Sequence, residues 1–238
     1  MKISIITLFP KMIEGFLYES ILKRAQEKKL VEIEIVNLRD FAIDDYGSVD
    51  DRPYGGGVGM VLRVDVIYKA LSYVKTSSFA KASADKQMLK VILTSARGKT
   101  YNQQITQNYS KLEHIIIIAG HYEGVDERVL EYVDEEISVG DYVLTGGELP
   151  ACIIADSVIR LIPGVLKKEE ATQLESFSNI DGNTLLEYPQ YTRPEEFMGE
   201  KIPGILLSGN HNEIEKWRIT QSKKITKKRR PDLLLKSV

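Results

Sequence analysis

The chain has 238 residues, a formal net charge of −2, 43% hydrophobic and 28% charged residues, which fits one large or two modest water-soluble domains with a sizeable core. Its one cysteine, Cys152, excludes an internal disulfide and fits a reducing, cytoplasmic setting. The opening apolar stretch ends at Pro10, too short for a signal-peptide core or a membrane helix, and no other stretch reaches membrane length.

In chain order, Lys2–Leu8 (KISIITL) is a β-branched run closed by Phe9-Pro10 and predicts a buried strand. Lys11–Lys29 carries Ile13, Phe16, Leu17, Ile21, Leu22 and Ala25 near helical spacing and predicts one helix. Val31–Leu38 alternates and predicts a second strand. Asp40–Met60, with Gly55-Gly56-Gly57 and Gly59, predicts a long loop of the kind that is functional or mobile. A helix is expected over Val64–Val74 and an exposed connection over Thr76–Gln87. Strands follow at Lys90–Thr94, Glu113–Ala119 and Glu136–Val139, and helices at Tyr101–Ser110, Arg128–Tyr132 and Leu149–Leu161. Strands alternating with helices predict an α/β fold on a mostly parallel sheet.

Composition shifts after Pro163-Gly164. A domain over 1–162, a linker over 163–176 and a smaller, mainly helical domain over 177–238 are expected. The linker includes the polar run KKEEATQLE. The second domain has little strand signal, and Ile214, Trp217 and Ile225 lie on one face of its terminal helix. From Glu215 onward, nine Lys or Arg oppose Glu215 and Asp232, while the rest of the chain is acidic. A basic end on an acidic body suggests a polyanionic partner.

Glycine-containing loops follow predicted strands at Ser95–Lys99, Gly120–Gly124 and Gly140–Gly147, the last within SVGDYVLTGGELP. Glycine lets a main chain turn tightly and approach a ligand closely. In parallel α/β sheets ligands bind outside the carboxyl ends of the strands, so three such loops predict a pocket. None matches the dinucleotide or P-loop glycine patterns. The histidines His114, His121 and His211 are scattered, one cysteine cannot build a zinc site, and Cys152 sits in an apolar helix as a core residue. Carboxylates, arginines and backbone are left to carry any chemistry.

Several segments resemble the bacterial tRNA (guanine-N1-)-methyltransferase family: DRPYGGG from Asp51, GHYEGVDER from Gly120, VGDYVLTGGELP from Val139, RLIPGVL from Arg160, PQYTRP from Pro189 and SGNH from Ser208. The resemblance runs in order along essentially the whole chain. It implies a trefoil-knotted methyltransferase domain of the SPOUT class, an obligate homodimer, S-adenosylmethionine as methyl donor, and methylation of N1 of the guanine at tRNA position 37. It also implies a Mg²⁺ requirement, for which the sequence shows no ligand set. Carried over by position, the cofactor residues are Thr94, Ser95 and Ala96; Gly120, Tyr122 and Glu123; and Val139, Gly140, Tyr142, Leu144, Gly146, Gly147 and Pro150.

Guanine N1 carries a proton that must leave, and a carboxylate can accept it. The family's base is an aspartate directly before Ser-Phe; here that place is Glu175, one methylene longer. Arg160 matches an arginine that stabilises charge developing on O6, which a fixed cationic donor suits. The resemblance also gives the basic tail a role, in which Lys223, Lys224, Lys227, Lys228, Arg229 and Arg230 hold the tRNA backbone. The chain departs from the family where Ser-Pro-Gln-Gly becomes Ser95-Ala96-Arg97-Gly98, which removes a stiffening proline and adds a cation, and where a histidine becomes Gln190. Two rivals stand beside this reading: a knotted methyltransferase acting on ribose or ribosomal RNA, and a non-catalytic RNA-binding protein of the same fold.

Overall fold

A computed structural model describes residues 1–79, 88–167, 175–180 and 182–234. Most of the expected connection after Thr76 and most of the expected linker after Lys167 lie outside the described residues. The chain divides into two compact units, Met1–Lys167 and Lys168–Val238.

In the first unit the elements run β1 (Lys2–Thr7), α1 (Lys11–Leu17), α2 (Ser20–Glu27), β2 (Glu32–Asn37), β3 (Asp50–Asp51), β4 (Val61–Leu62), α3 (Val64–Phe79), β5 (Leu89–Thr100), α4 (Gln103–Tyr109), β6 (His114–Ala119), β7 (Glu135–Ser138) and α5 (Glu148–Ile159). Five strands form one sheet in the order β2-β1-β6-β5-β7, parallel throughout. The central strand β6 (HIIIIA) is buried at every residue, as expected where helices cover both faces of a parallel sheet. Its side chains alternate between two cores. Ile115 and Ile117 join Ile3, Ile5 and Ile92 beneath α1, α2, α4 and α5. Ile116 and Ile118 join Ile6, Val91 and Leu93 against α3.

The expected single helix over Lys11–Lys29 is two helices. Ile13 and Leu17 of α1 and Leu22 and Ala25 of α2 all reach the same core. On one continuous helix Leu22 would point about 180° away from Ile13, at 100° per residue. The chain breaks at Tyr18-Glu19, Ser20 takes φ +53°, and the Gln26 amide donates to the Leu17 carbonyl at 2.9 Å. β5 is also longer than the apolar run predicts. It pairs with β7 through Thr94 and again through Lys99, both opposite Ile137, so residues 95–98 form a wide bulge inside the strand. The expected helix at Arg128–Tyr132 is a 3₁₀ segment, Glu127–Tyr132, capped by Asp126.

Cys152 is buried on α5, and burial, with Glu148 and Asp156 adding to it, pushes its thiol up to about 11. The thiolate is the reactive form. Alkylation by iodoacetamide at pH 7.5 is therefore expected to be negligible in the native protein and rapid in urea; fast labelling of native protein would contradict this placement.

At the amino end of the sheet, Ser4 Oγ donates to Glu34 Oε2 at 2.8 Å and lies 2.9 Å from His114 Nε2. Because the one hydroxyl proton goes to Glu34, the imidazole donates through Nε2, and its buried Nδ1 has no hydrogen-bond partner among the described residues. Burial, helped by Lys2, lowers the His114 pKa to about 4. Between pH 6.5 and 4 the unfolded chain then binds the proton and the folded chain does not, so stability is lost as pH falls through that window. The difference is worth on the order of 3 kcal/mol. The urea midpoint is expected to drop steadily from pH 7 to pH 4.5, and the drop should be much smaller in His114→Gln; equal slopes would contradict it.

Among its described residues the second unit holds two antiparallel hairpins, β8–β9 (Ser178–Ile180, Asn183–Leu185) and β10–β11 (Glu196–Phe197, Glu200–Lys201), and the helix α6 (His211–Arg229). Strands of two or three residues are too short to show alternation, which is why little strand signal precedes them in the residue pattern. Ile214, Trp217 and Ile225 are half-buried, while Ser222 and Thr226 are the buried residues of α6. Thr226 Oγ1 accepts from Leu186 N at 2.9 Å, tying α6 to the residue that follows β9.

Candidate active site

β1, β5, β6 and β7 are parallel, so their carboxyl ends meet at one edge of the sheet. The loops leaving them there lock together. Gly147 N donates to Gly120 O at 2.6 Å, and Thr94 Oγ1 donates to Ile118 O at 3.2 Å. A Cβ at Gly147 would overlap Thr94 Oγ1 and crowd the backbone of Ala119 and Gly120. Only glycine lets the third loop lie against the first two. At Gly140 (φ +153°) a Cβ would overlap the Tyr142 ring, and Ser138 Oγ accepts from Gly140 N at 3.2 Å.

These loops wall a cleft of ≈ 1370 Å³. Thr94, Ser95 and Ala96, then Gly120, Tyr122 and Glu123, then Val139, Gly140, Tyr142, Leu144, Gly146, Gly147 and Pro150 all line it. Residues from three stretches of sequence therefore share one concave surface, rich in backbone amides and carbonyls. The early glycine cluster reaches the same place. Leu62 N donates to Gly124 O at 3.0 Å, Glu123 N donates to Met60 O at 3.1 Å, and a Cβ at Gly59 would crowd the Glu123 side chain.

Sequence reasoning missed the charged rim of this cleft. Arg63 pairs with Asp65 at 2.9 Å and Asp51 at 3.4 Å, and Arg128 pairs with Asp126 at 2.7 Å. The hydrogen bond from Arg63 holds the Asp65 carboxyl below its ordinary range, and that from Arg128 does the same to Asp126. Arg97, the cation that departs from the family's usual first loop, pairs with Glu127 at 2.8 Å, and its amide donates to Ser95 Oγ at 3.2 Å. The bulge is thus tied down without a proline.

A second missed element lies behind the cleft wall. Glu148, 1% exposed at the start of α5, accepts from Thr7 Oγ1 at 3.0 Å, and its other oxygen lies 3.3 Å from His121 Nδ1. The only sequence signal was a carboxylate in the first turn of a helix, where the helix dipole favours it.

Arg160 caps the carboxyl end of α5, half-buried, and is not among the residues lining the cleft. Glu175 is half-buried in the second unit, where its carbonyl accepts from Ser178 N at 3.1 Å. Lys223, Lys224, Lys227, Lys228, Arg229 and Arg230 are all exposed on α6 and its cap, and Arg230 pairs with Asp232 at 2.7 Å. Among the described residues no group of three His, Cys, Asp or Glu side chains is arranged to hold a metal ion, and no helix is long and apolar enough to cross a membrane.

A parallel α/β sheet with helices on both faces and a loop-walled cleft at its carboxyl edge is the arrangement in which α/β domains bind ligands. The profile of the family described as tRNA (Guanine-1)-methyltransferase TrmD matches residues 1–236. The chain is 54% identical over 235 residues to a tRNA (guanine-N(1)-)-methyltransferase of Geobacter sp. (strain M21), spanning 98% of this chain and 90% of that protein. It is 51% identical over 237 residues to the protein of the same name from Staphylococcus carnosus (strain TM300), spanning 99% and 91%. The one from Mycoplasma capricolum subsp. capricolum is 51% identical over 235 residues, spanning 98% and 92%. The chain belongs to the tRNA (guanine-1)-methyltransferase family and is a methyltransferase enzyme.

Proposed function

We propose that this protein transfers the methyl group of S-adenosylmethionine to N1 of guanosine 37 in tRNA. The observation that carries this reading is the single cleft that gathers every predicted cofactor residue from three separate loops. Gly146 and Gly147, where a Cβ would overlap Glu148, His121 and Thr94, let the third loop pack close enough to lay its main chain along the cleft, which fits a ligand read by main-chain groups. Bound there, S-adenosylmethionine would supply an electrophilic sulfonium methyl, whose bond to sulfur breaks on transfer so that S-adenosylhomocysteine leaves.

Glu175 accepts the N1 proton, which frees the ring nitrogen's electron pair to form the new N–C bond. Arg160 donates to O6, where negative charge collects as the proton leaves. The guanine is splayed out of the anticodon loop to reach the site, as enzymes acting on bases require. The active form is a homodimer, with cofactor loops from one subunit and Glu175 from the other. Exposed apolar Met12 and Phe16 on α1, beside exposed Leu149 and Ile153 on α5, supply a surface for it. The SPOUT knot accords with a third loop drawn tightly against the other two, and the cytoplasm with an enzyme whose substrate is tRNA.

The exposed cations of α6 hold phosphates. Lys227→Ala with Lys228→Ala is expected to weaken tRNA binding and to lower the slope of log affinity against log salt by roughly one per lost contact. An unchanged slope would remove them from the interface. Nucleoside analysis of tRNA treated with enzyme and donor tests the reaction itself. N1-methylguanosine is the expected product; a 2′-O-methyl nucleoside would favour the ribose rival, and no product, with the donor bound, the non-catalytic one.

A further inference from the structure

We infer that Glu148 is a positioning residue for the cleft: acting through His121, it holds Tyr122 in a left-handed backbone conformation and so fixes the wall made by residues 120–124. The inference rests on the reading that this cleft takes the methyl donor.

Tyr122 lines the cleft with φ +60°. A bulky residue is strained in that conformation and keeps it only where its surroundings impose it. The imposing neighbour is His121. Its ring meets the Tyr122 ring edge-on, with centroids 4.9 Å apart at 87°, and also packs against the Phe9 ring at 4.6 Å. The imidazole is in turn aimed by Glu148, whose Oε2 lies 3.3 Å from its Nδ1.

The circuit closes through β1. Thr7 Oγ1 donates to Glu148 at 3.0 Å and accepts from Phe9 N, also at 3.0 Å. Thr7 is fully buried, and Gly146 leaves no room beside the pair, because a Cβ there would overlap both Glu148 Oε2 and His121 Nδ1. A carboxyl group this buried is costly unless its oxygens are paired, and Thr7 and His121 supply those partners. Glu148 itself does not line the cleft, so its effect on a ligand passes through the imidazole and the loop.

The test measures S-adenosylhomocysteine affinity by calorimetry, KM and kcat for the methyl donor, and thermal unfolding, in wild type, Glu148→Gln, Tyr122→Gly and the double variant. Glu148→Gln is expected to weaken S-adenosylhomocysteine about tenfold and to raise KM alike, with kcat within about twofold. Glycine at 122 has no strain to restrain, so the double variant should bind no more weakly than Tyr122→Gly alone. Losses that add in the double variant, or wild-type affinity in Glu148→Gln, would overturn the inference. If Glu148→Gln does not fold, His121→Phe keeps the ring contacts and cuts the link to the carboxylate; the same non-additivity with Tyr122→Gly is expected, and additivity again overturns it. Wild-type protein that binds no S-adenosylhomocysteine would instead overturn the cleft assignment itself.

Discussion

Glu175→Gln is expected to bind the methyl donor and tRNA as wild type does and to lose roughly 10²–10⁴-fold in methyl transfer, the usual worth of a positioned general base. The amide keeps the size and a polar face of the side chain but cannot take the N1 proton. Under single-turnover conditions the loss should fall on the chemical step, with donor affinity by calorimetry unchanged. Glu175→Asp is expected to remain active, since it gives the shorter carboxylate that the family carries at this place. Full activity in Glu175→Gln would exclude Glu175 as the base and send the search to the cleft-lining carboxylates.

Gly147→Ala is expected to weaken the methyl donor by about tenfold or more without unfolding the protein, because overpacking of this kind costs about 1–3 kcal/mol. The added Cβ would overlap Thr94 Oγ1 and stand 2.8 Å from Gly120 N and 2.9 Å from Ala119 Cα. These are backbone atoms of β6 and its loop, and the Gly147–Gly120 hydrogen bond pins the same spot, so the third loop must back away from the other two. The displaced loop carries Gly140, Tyr142 and Leu144 along the cleft. Gly204→Ala, where a Cβ meets nothing within 4 Å among the described residues, is the matched control and should bind normally. Calorimetry with the donor reads both; equal affinities would show that close packing at Gly147 does not shape the site.

Much of the architecture could be read from residue patterns because each signal was local. β-branched runs marked β1, β5 and β6, and glycine clusters marked the loops that wall the cleft. What stayed hidden depended on distant partners. The break after Leu17 follows from where Leu22 must point, which is set by a core that β6 and α5 complete. The bulge at residues 95–98 needs β7 to pair on both sides of it, and no periodicity in KVILTSARGK announces that. Nor could spacing give the strand order, since a period shows which face of a strand is buried and not which strand lies beside it. At the site, glycines were legible as places of close approach, but Glu148 was not, because its partners Thr7 and His121 lie far off in sequence. The roles proposed for Glu175 and Arg160 rest on resemblance alone: on composition one is a polar linker charge and the other a helix-end cation.

The most direct test of the proposed reaction is transfer of labelled methyl from S-adenosylmethionine to unmodified tRNA transcripts carrying guanine at position 37, beside transcripts with adenine there. Label on the guanine-37 transcript alone, recovered as N1-methylguanosine, is the predicted result. Equal label on both transcripts, or none on either from protein that binds the donor, would contradict it.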